Sequence, residues 1–418
     1  MAETIPALAL ATSDETCTFS PMPFQRRAVG DKDVLIDMKF CGVCHTDVHV
    51  AANHMKSVKP TKYPCVPGHE LAGVCVDVGA GVTRIKVGDH VGVGCMVDSC
   101  LECEACLAGD EQKCKWENVG TFDGDSRKFG RADNPDAPLG QTYGGYTSMM
   151  VVHEHFAIKI PKSYPLEAAG PVMCAGITMY DPLKAFGAKE GTRVGIVGLG
   201  GLGVMGIKIA NALGCQVVAI SRGAGKEGLA KDSGARAFIA SSSPEDMAQN
   251  VNSLDLILNT IPAEHDYVAY TPLLANGGKQ VFLGITSGFA AAMFTQKCSL
   301  GCCSPPTYMS SLIGGIKNTQ EVMDLCARDN ILPQIRLLPV TEISRIYEDL
   351  ESGNDAGVRY VLDIGGTLNQ EAADSWVPRR PQMQEHTGLQ IGTILKTALW
   401  MLGGRMFGCC TSREGSVR

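Results

Sequence analysis

Apolar and polar residues alternate in short runs through the first third of the chain. Residues 1–40 read as short strands, with Val34-Leu35-Ile36-Asp37-Met38 the clearest. Leu71–Gly79 alternates apolar with other positions and is rich in valine, and Val87–Val93 reads as another strand. Pro64, Pro67, Gly68 and Gly73 punctuate these runs, and residues 41–52 predict a helix. Many short strands separated by glycine turns predict a β-rich, barrel-like first domain. Residues 120–142 are polar, carry Gly124, Gly130, Pro135, Pro138 and Gly140, and read as a long loop before a strand at Tyr146–Val152.

From about residue 175 the pattern changes. Short apolar strands at Thr192–Val197, Val217–Ile220, Leu254–Asn259 and Lys279–Gly284 alternate with helical stretches at Val204–Leu213 and 318–329. That alternation predicts βαβ units and a doubly wound parallel sheet, an α/β second domain. Arg359–Ile364 reads as a last strand returning to the first domain. The expected division is a catalytic domain at 1–174, a cofactor domain at 175–312, a return to the catalytic domain at 313–366, and an extension at 367–418.

The first strand of the second domain runs into Gly198-Leu199-Gly200-Gly201-Leu202-Gly203. Glycines there let the backbone turn tightly and approach a pyrophosphate at a positive helix N-terminus. With a strand before it and a helix and second strand after it, G-x-G-x-x-G predicts dinucleotide binding, against the blander alternative of a glycine-rich packing turn. NAD sites usually place an acid at the end of the second strand to bond the ribose 2′-hydroxyl. Here that place reads Ser221-Arg222-Gly223-Ala224-Gly225-Lys226, with no acid before Glu227. A hydroxyl and two cations suit a 2′-phosphate, so NADP(H) is expected; otherwise Arg222 and Lys226 are a solvated loop.

Two sets of metal-ligand residues stand in the first domain. Cys100, Cys103, Cys106 and Cys114 lie on one short segment, a closed four-thiolate set expected to form a structural zinc lobe at 97–115. Cys44, His69 and Cys174 come from separate parts of the chain. Two thiolates and one imidazole suit a catalytic zinc ion that keeps its fourth position open, and Glu70 adds a carboxylate beside it. Thr46, two residues past Cys44, places a hydroxyl where a substrate oxygen would lie. Asp47 is expected to hold the far nitrogen of His69.

Composition narrows the class. The chain has 418 residues, 45% hydrophobic and 19% charged, enough for a large soluble core. A net charge of −7 argues against nucleic acid as the main partner. The start lacks a basic n-region and a signal-length apolar stretch, so a cytoplasmic protein is expected, its 18 cysteines serving as metal ligands or small hydrophobes. In the extension, Leu389–Cys410 is apolar with Lys396 and Arg405 interspersed and ends in Cys409-Cys410. The extension at 367–418 reads as a loose appendage, the sharper alternative being an amphipathic membrane or partner contact acylated at the paired cysteines.

Together these residues resemble the zinc-dependent medium-chain dehydrogenase/reductases, most closely the cinnamyl alcohol dehydrogenase-like branch. The carriers are Cys41–Asp47, Pro67–Glu70, Val97 through Cys114, Met173–Thr178, Gly198–Gly203, Ile313–Gly315 and Arg359–Ile364, over about residues 15–366. The resemblance implies a GroES-like catalytic domain formed by both ends of the chain around an inserted Rossmann domain. It implies a homodimer joined through the cofactor-domain sheets, two zinc ions per chain, and a small alcohol or aldehyde substrate, the enzyme working as an aldehyde reductase with NADPH. It assigns His49 to a proton relay after Thr46, and Glu70 to a place behind the zinc as an exchanging ligand. A polyol dehydrogenase and a catalytically idle relative are the alternatives. Lignin-type members carry a bulky aromatic shortly after the fourth structural cysteine, where this chain has Trp116 and Val119. The loop at 120–142, Cys298–Pro306 and the extension fall outside the family pattern.

Overall fold

The structure, a computed structural model, describes residues 3–383 apart from 57–58, 133, 285, 287–288, 290–291, 293–306 and 354–356. The first part of the chain supplies β1 (Ile5–Thr12), β2 (Phe19–Arg26), β3 (Asp33–Val43), β4 (Glu70–Val78), β5 (His90–Val93), β6 (Met96–Asp98), β7 (Val119–Gly120), β8 (Met149–His153) and β9 (Ile158–Ile160). The middle supplies β10 (Arg193–Val197), β11 (Gln216–Ser221), β12 (Ala237–Ala240), β13 (Leu254–Asn259), β14 (Leu274–Phe282) and β15 (Tyr308–Ser310). The last two strands are β16 (Ile335–Pro339) and β17 (Arg359–Asp363).

A seven-stranded sheet runs β16-β17-β3-β4-β5-β9, with β8 also paired to β3. Its core is built by alternating residues such as Val34, Ile36 and Met38, which are fully buried. A strand late in the sequence joins this sheet: β17 pairs antiparallel with β3, Tyr360 opposite Val43 and Leu362 opposite Cys41. On the other side of β3, Gly42 faces Glu70 of β4. Three strand ends, β3, β4 and β17, therefore meet at one corner.

The second sheet is parallel throughout, in the order β12-β11-β10-β13-β14-β15. Counted from β10 this is 3-2-1-4-5-6, the doubly wound order whose crevice opens where the direction of winding reverses, beyond β10 and β13. Its central strands are buried on both faces, through Val194 and Ile196 of β10 and the adjacent Leu256 and Ile257 of β13, as in a parallel sheet with both faces covered.

Several boundaries differ from the sequence reading. The helix after the glycine loop begins at Gly201, not Val204, because the second half of the motif already forms the first helical turn. The strand expected from Val87 begins at His90, since Gly88 takes a positive φ of 86° and turns the chain. The strand expected from Tyr146 begins at Met149. The first part of the extension is not a loose appendage: a short helix at Gln370–Asp374 leads to Trp376, whose indole N–H donates to the Phe19 carbonyl at 2.9 Å. Arg379 pairs with Glu348 at 2.8 Å, and the Arg379 carbonyl accepts from the Ser344 hydroxyl. Leu389–Cys410 and Cys298–Pro306 lie outside the described residues. Among those described, no helix is long and apolar enough to cross a membrane.

Candidate active site

At the corner where β3, β4 and β17 meet, the chain leaves β3 through Cys44 and turns into the helix His45–Ala51. Cys44 is the residue before the first turn, in extended conformation, so its sulfur projects beside the helix N-terminus. His69 immediately precedes β4. Cys174 lies in a π-helical turn, Val172–Gly176, between two α-helices. Such one-turn widenings recur at functional sites because they push a side chain out of the regular helical path.

The ligating atoms of Cys44, His69, Glu70 and Cys174 all lie within 4.8 Å of one another. The Cys44 and Cys174 sulfurs are 3.9 Å apart, and His69 Nε2 is 3.2 Å from the Cys174 sulfur. Tetrahedral thiolates about 2.3 Å from zinc stand about 3.8 Å apart. The donor set and spacing thus fit a zinc ion. The protonation pattern agrees. A hydrogen bond from Cys174 holds the Cys44 thiol well below the usual range, and the same contact pushes Cys174 well up.

Asp47, fully buried, organises the surroundings. One oxygen lies 2.9 Å from His69 Nδ1 and accepts the Gly68 N–H at 3.0 Å. The other accepts the Cys44 N–H at 2.8 Å and the Tyr146 hydroxyl at 3.3 Å. Burial opposes charging His69, but Asp47, together with Cys95 and Cys44, outweighs it and holds the imidazole well above its ordinary value. A carboxylate on the far ring nitrogen fixes the tautomer and leaves Nε2 facing the cluster.

Glu70 is also fully buried, and its carboxylate pairs with the Arg359 guanidinium. Its second oxygen, Oε2, has no hydrogen-bond partner among the described residues. Burial raises the Glu70 pKa despite the arginine. A side chain on residue 42 would collide with this carboxylate, which explains a glycine at position 42. Thr46 is exposed on the open side, its hydroxyl 3.8 Å from the Cys44 sulfur. His49 follows one turn later, with its Nδ1 3.1 Å from His54 Nδ1.

Three neighbours were not foreseen. Cys95 lies half-buried against this cluster, where a hydrogen bond with Cys174 lowers its pKa. Phe122, from the loop at 120–142, stacks on His69 at 5.7 Å and 21°. Arg359 completes the charge balance. Cys95 has no ligand spacing in sequence, and Phe122 and Arg359 arrive through tertiary folding alone. His54 shows no partner pattern in sequence, yet it lies against His49. Of the two positions weighed for an aromatic, Trp116 is half exposed with Lys115 over its ring, while Val119 is buried in β7.

The four cysteines of the segment at 97–115 also come together in space. The ligating atoms of Cys100, Cys103, Cys106 and Cys114 lie within 4.8 Å of one another, and the Cys100 and Cys106 sulfurs are 3.8 Å apart. The Lys115 backbone N–H donates to Cys103 and helps lower that thiol to about 6, while burial raises Cys106 to about 12. Glu111 ties this lobe to the body. It lies 2.6 Å from His155 Nε2 and accepts the Ile316 N–H at 2.8 Å.

The crevice of the parallel sheet opens over Gly198–Gly203. Gly198 takes a φ of 92°, a left-handed conformation that suits glycine. A Cβ on Gly203 would strike the Gly198 carbonyl, so the helix can approach the strand this closely only with glycine there. Gly200 precedes the helix Gly201–Ala212 in extended conformation, leaving the N–H groups of Leu202 and Gly203 in its first turn. Ser221 ends β11, Arg222 follows exposed, and Lys226 Nζ reaches back to the Leu199 carbonyl at 2.9 Å. The nearest following acid, Glu227, is paired with Lys231 at 2.7 Å.

Comparison with known proteins gives the same picture. Residues 30–162 match the alcohol dehydrogenase GroES-like domain, and residues 201–328 match the zinc-binding dehydrogenase domain. The chain is 40% identical over 370 residues to the probable cinnamyl alcohol dehydrogenase 3 of Oryza sativa subsp. japonica, covering 88% of this chain and 96% of the relative. It is 39% identical over 374 residues to a mannitol dehydrogenase of Apium graveolens, covering 88% and 96%. Among solved structures, the cinnamyl alcohol dehydrogenase of Helicobacter pylori complexed with NADP(H) superposes with a TM-score of 0.74 at 36% identity, covering 87% of this chain and all of that one.

Proposed function

The chain belongs to the zinc-binding, GroES-like alcohol dehydrogenases, and from that premise we propose that it works as an NADP(H)-dependent aldehyde reductase on aromatic or medium-chain aldehydes. The observation that carries this is the convergence of Cys44, His69 and Cys174 with one side left to Thr46. When bound, a zinc ion held by these three residues would supply Lewis acidity, and NADP(H) the hydride.

The chain's own residues do the rest. Asp47 orients His69, and the Glu70–Arg359 pair fixes the floor of the site, with Glu70 Oε2 free to act as an exchanging ligand. The Thr46 hydroxyl, beside the Cys44 sulfur, exchanges the proton of a substrate oxygen. His49 stands three residues on, on the same helix face, and carries that proton outward. The glycine loop cradles the pyrophosphate. Ser221, Arg222 and Lys226 take the 2′-phosphate, a reading supported by the absence of an acid at the end of β11. Cys100, Cys103, Cys106 and Cys114 hold a second, structural zinc. The proposal extends to a cytoplasmic homodimer, supported by β15, a sheet-edge strand with one partner among the described residues.

A second reading, a polyol dehydrogenase, is favoured by the similarity to the Apium enzyme. Consumption of NADPH with cinnamaldehyde and benzaldehyde, against reduction of NADP⁺ with mannitol, separates the two. Turnover confined to the polyol would replace the first reading with the second. No turnover with either, in zinc-loaded protein, would leave a catalytically idle relative.

A further inference from the structure

Outside the two cysteine sets, a third group of metal-ligating side chains comes together at the outer end of the helix His45–Ala51. The ligating atoms of His49, His54 and Glu351 lie within 4.8 Å of one another. We propose that these three residues form an exchangeable site for a divalent transition-metal ion, of the zinc, cobalt or nickel kind.

Local backbone chemistry sets the pair of imidazoles. The helix ends in a left-handed turn at Asn53, with φ of 55°. The His54 N–H then donates back to the His49 carbonyl at 2.9 Å, and the Ala52 N–H to Val48. This six-to-one closure brings the side chains of its two end residues together, usually as an apolar contact. Here both are histidines, and their Nδ1 atoms stand 3.1 Å apart. Two imidazole nitrogens each about 2.0–2.1 Å from a tetrahedral zinc would stand about 3.3 Å apart. The pair is thus already close to a ligand edge.

The third ligand comes from another element. Glu351 ends the helix Ile343–Glu351, and its carboxylate is only 1% exposed, 3.6 Å from His45 Nε2. His49 and His54 are half-buried, so an ion can reach the group from solvent. Two imidazoles and one carboxylate, with no thiolate, suit zinc, cobalt or nickel and leave a position for water. Such a site releases its ion more readily than the thiolate sets. On the relay reading given above, an ion on His49 Nδ1 would occupy the lone pair through which the proton leaves. Occupancy would then slow turnover.

The test uses the full chain with both cysteine sets loaded and loose ions removed by gel filtration. Calorimetric titration with Zn²⁺ is expected to show one further ion per chain. His54→Gln and Glu351→Gln should each weaken that binding by about tenfold or more, while elemental analysis shows the original zinc retained. His54→Asp, which keeps a ligating side chain, should bind; it also serves if His54→Gln does not fold. No further ion in the parent, or equal affinity in the parent and both glutamine variants, overturns the site. Inhibition of NADPH consumption by excess Zn²⁺ in the parent and not in Glu351→Gln supports the link to His49. Further binding without inhibition refutes that link and leaves the site standing.

Discussion

Glu70 and Arg359, 289 positions apart in the chain, form an ion pair at the floor of the candidate active site. Both strands that carry them flank β3, so the pair fastens the late strand β17 to the segment that supplies Cys44 and His69. Glu70 is fully buried, and removing its partner would strand a charge in a place water does not reach. Arg359→Met is expected to destabilise the protein by about 3–5 kcal/mol. Adding Glu70→Gln should recover much of that loss. Urea midpoints of the single and double variants check this, and equal midpoints for parent and Arg359→Met would remove the pair from the framework.

The two cysteine sets should respond differently to the same chemical change. Cys44→Ser removes a thiolate from a site assembled by three separate elements, each with its own support. Turnover should disappear while NADPH binding, read by fluorescence, stays within about twofold, since the glycine loop is on another sheet. Cys103→Ser removes a ligand from a set that holds one loop together. It should lose zinc and lower the unfolding temperature, with metal content and a thermal melt as the readouts. An unchanged melt for Cys103→Ser would contradict the structural assignment.

Cofactor choice rests on the end of β11. Arg222→Asp places a carboxylate where a 2′-phosphate is expected and a ribose hydroxyl is the alternative. The ratio of kcat/KM for NADPH over NADH should fall by about tenfold or more, the scale of one charge-assisted hydrogen bond. A ratio that does not move would return Arg222 to the solvated loop.

Most of the architecture was legible because period and punctuation survive in one dimension. The βαβ pattern around Gly198–Gly203 and the four-cysteine run need only local spacing. Cys44, His69 and Cys174 could be nominated because each sits in a short recognisable stretch, although their convergence depends on the register of β3, β4 and β17. Cys95, Phe122 and Arg359 could not be nominated, since nothing local marks them. His54 was passed over for a related reason: its pairing with His49 depends on the left-handed turn at Asn53, which asparagine permits without announcing. Trp376 shows the limit at the far end. The sequence after residue 366 has no period of its own, yet the indole finds a carbonyl on β2 and ties this segment to the first part of the chain.

Glu111 provides a pH signature for the zinc lobe. Burial alone would raise its pKa, but the His155 ring and the Ile316 N–H outweigh burial and hold it below the ordinary value of 4.5. A carboxyl whose pKa falls on folding binds its proton more tightly when unfolded. It therefore adds stability above the unfolded pKa and loses it as pH falls through the lower, folded one. Glu111→Gln exchanges a charged acceptor for a neutral one in two contacts, one buried and one partly buried, at a cost of about 1–2 kcal/mol near neutral pH. That difference between parent and variant should shrink below about pH 4.5 and close once the parent's own carboxyl is protonated. Thermal melts across this range check it. A gap that stays constant to the acid end would mean that Glu111 acts through packing and not through its charge.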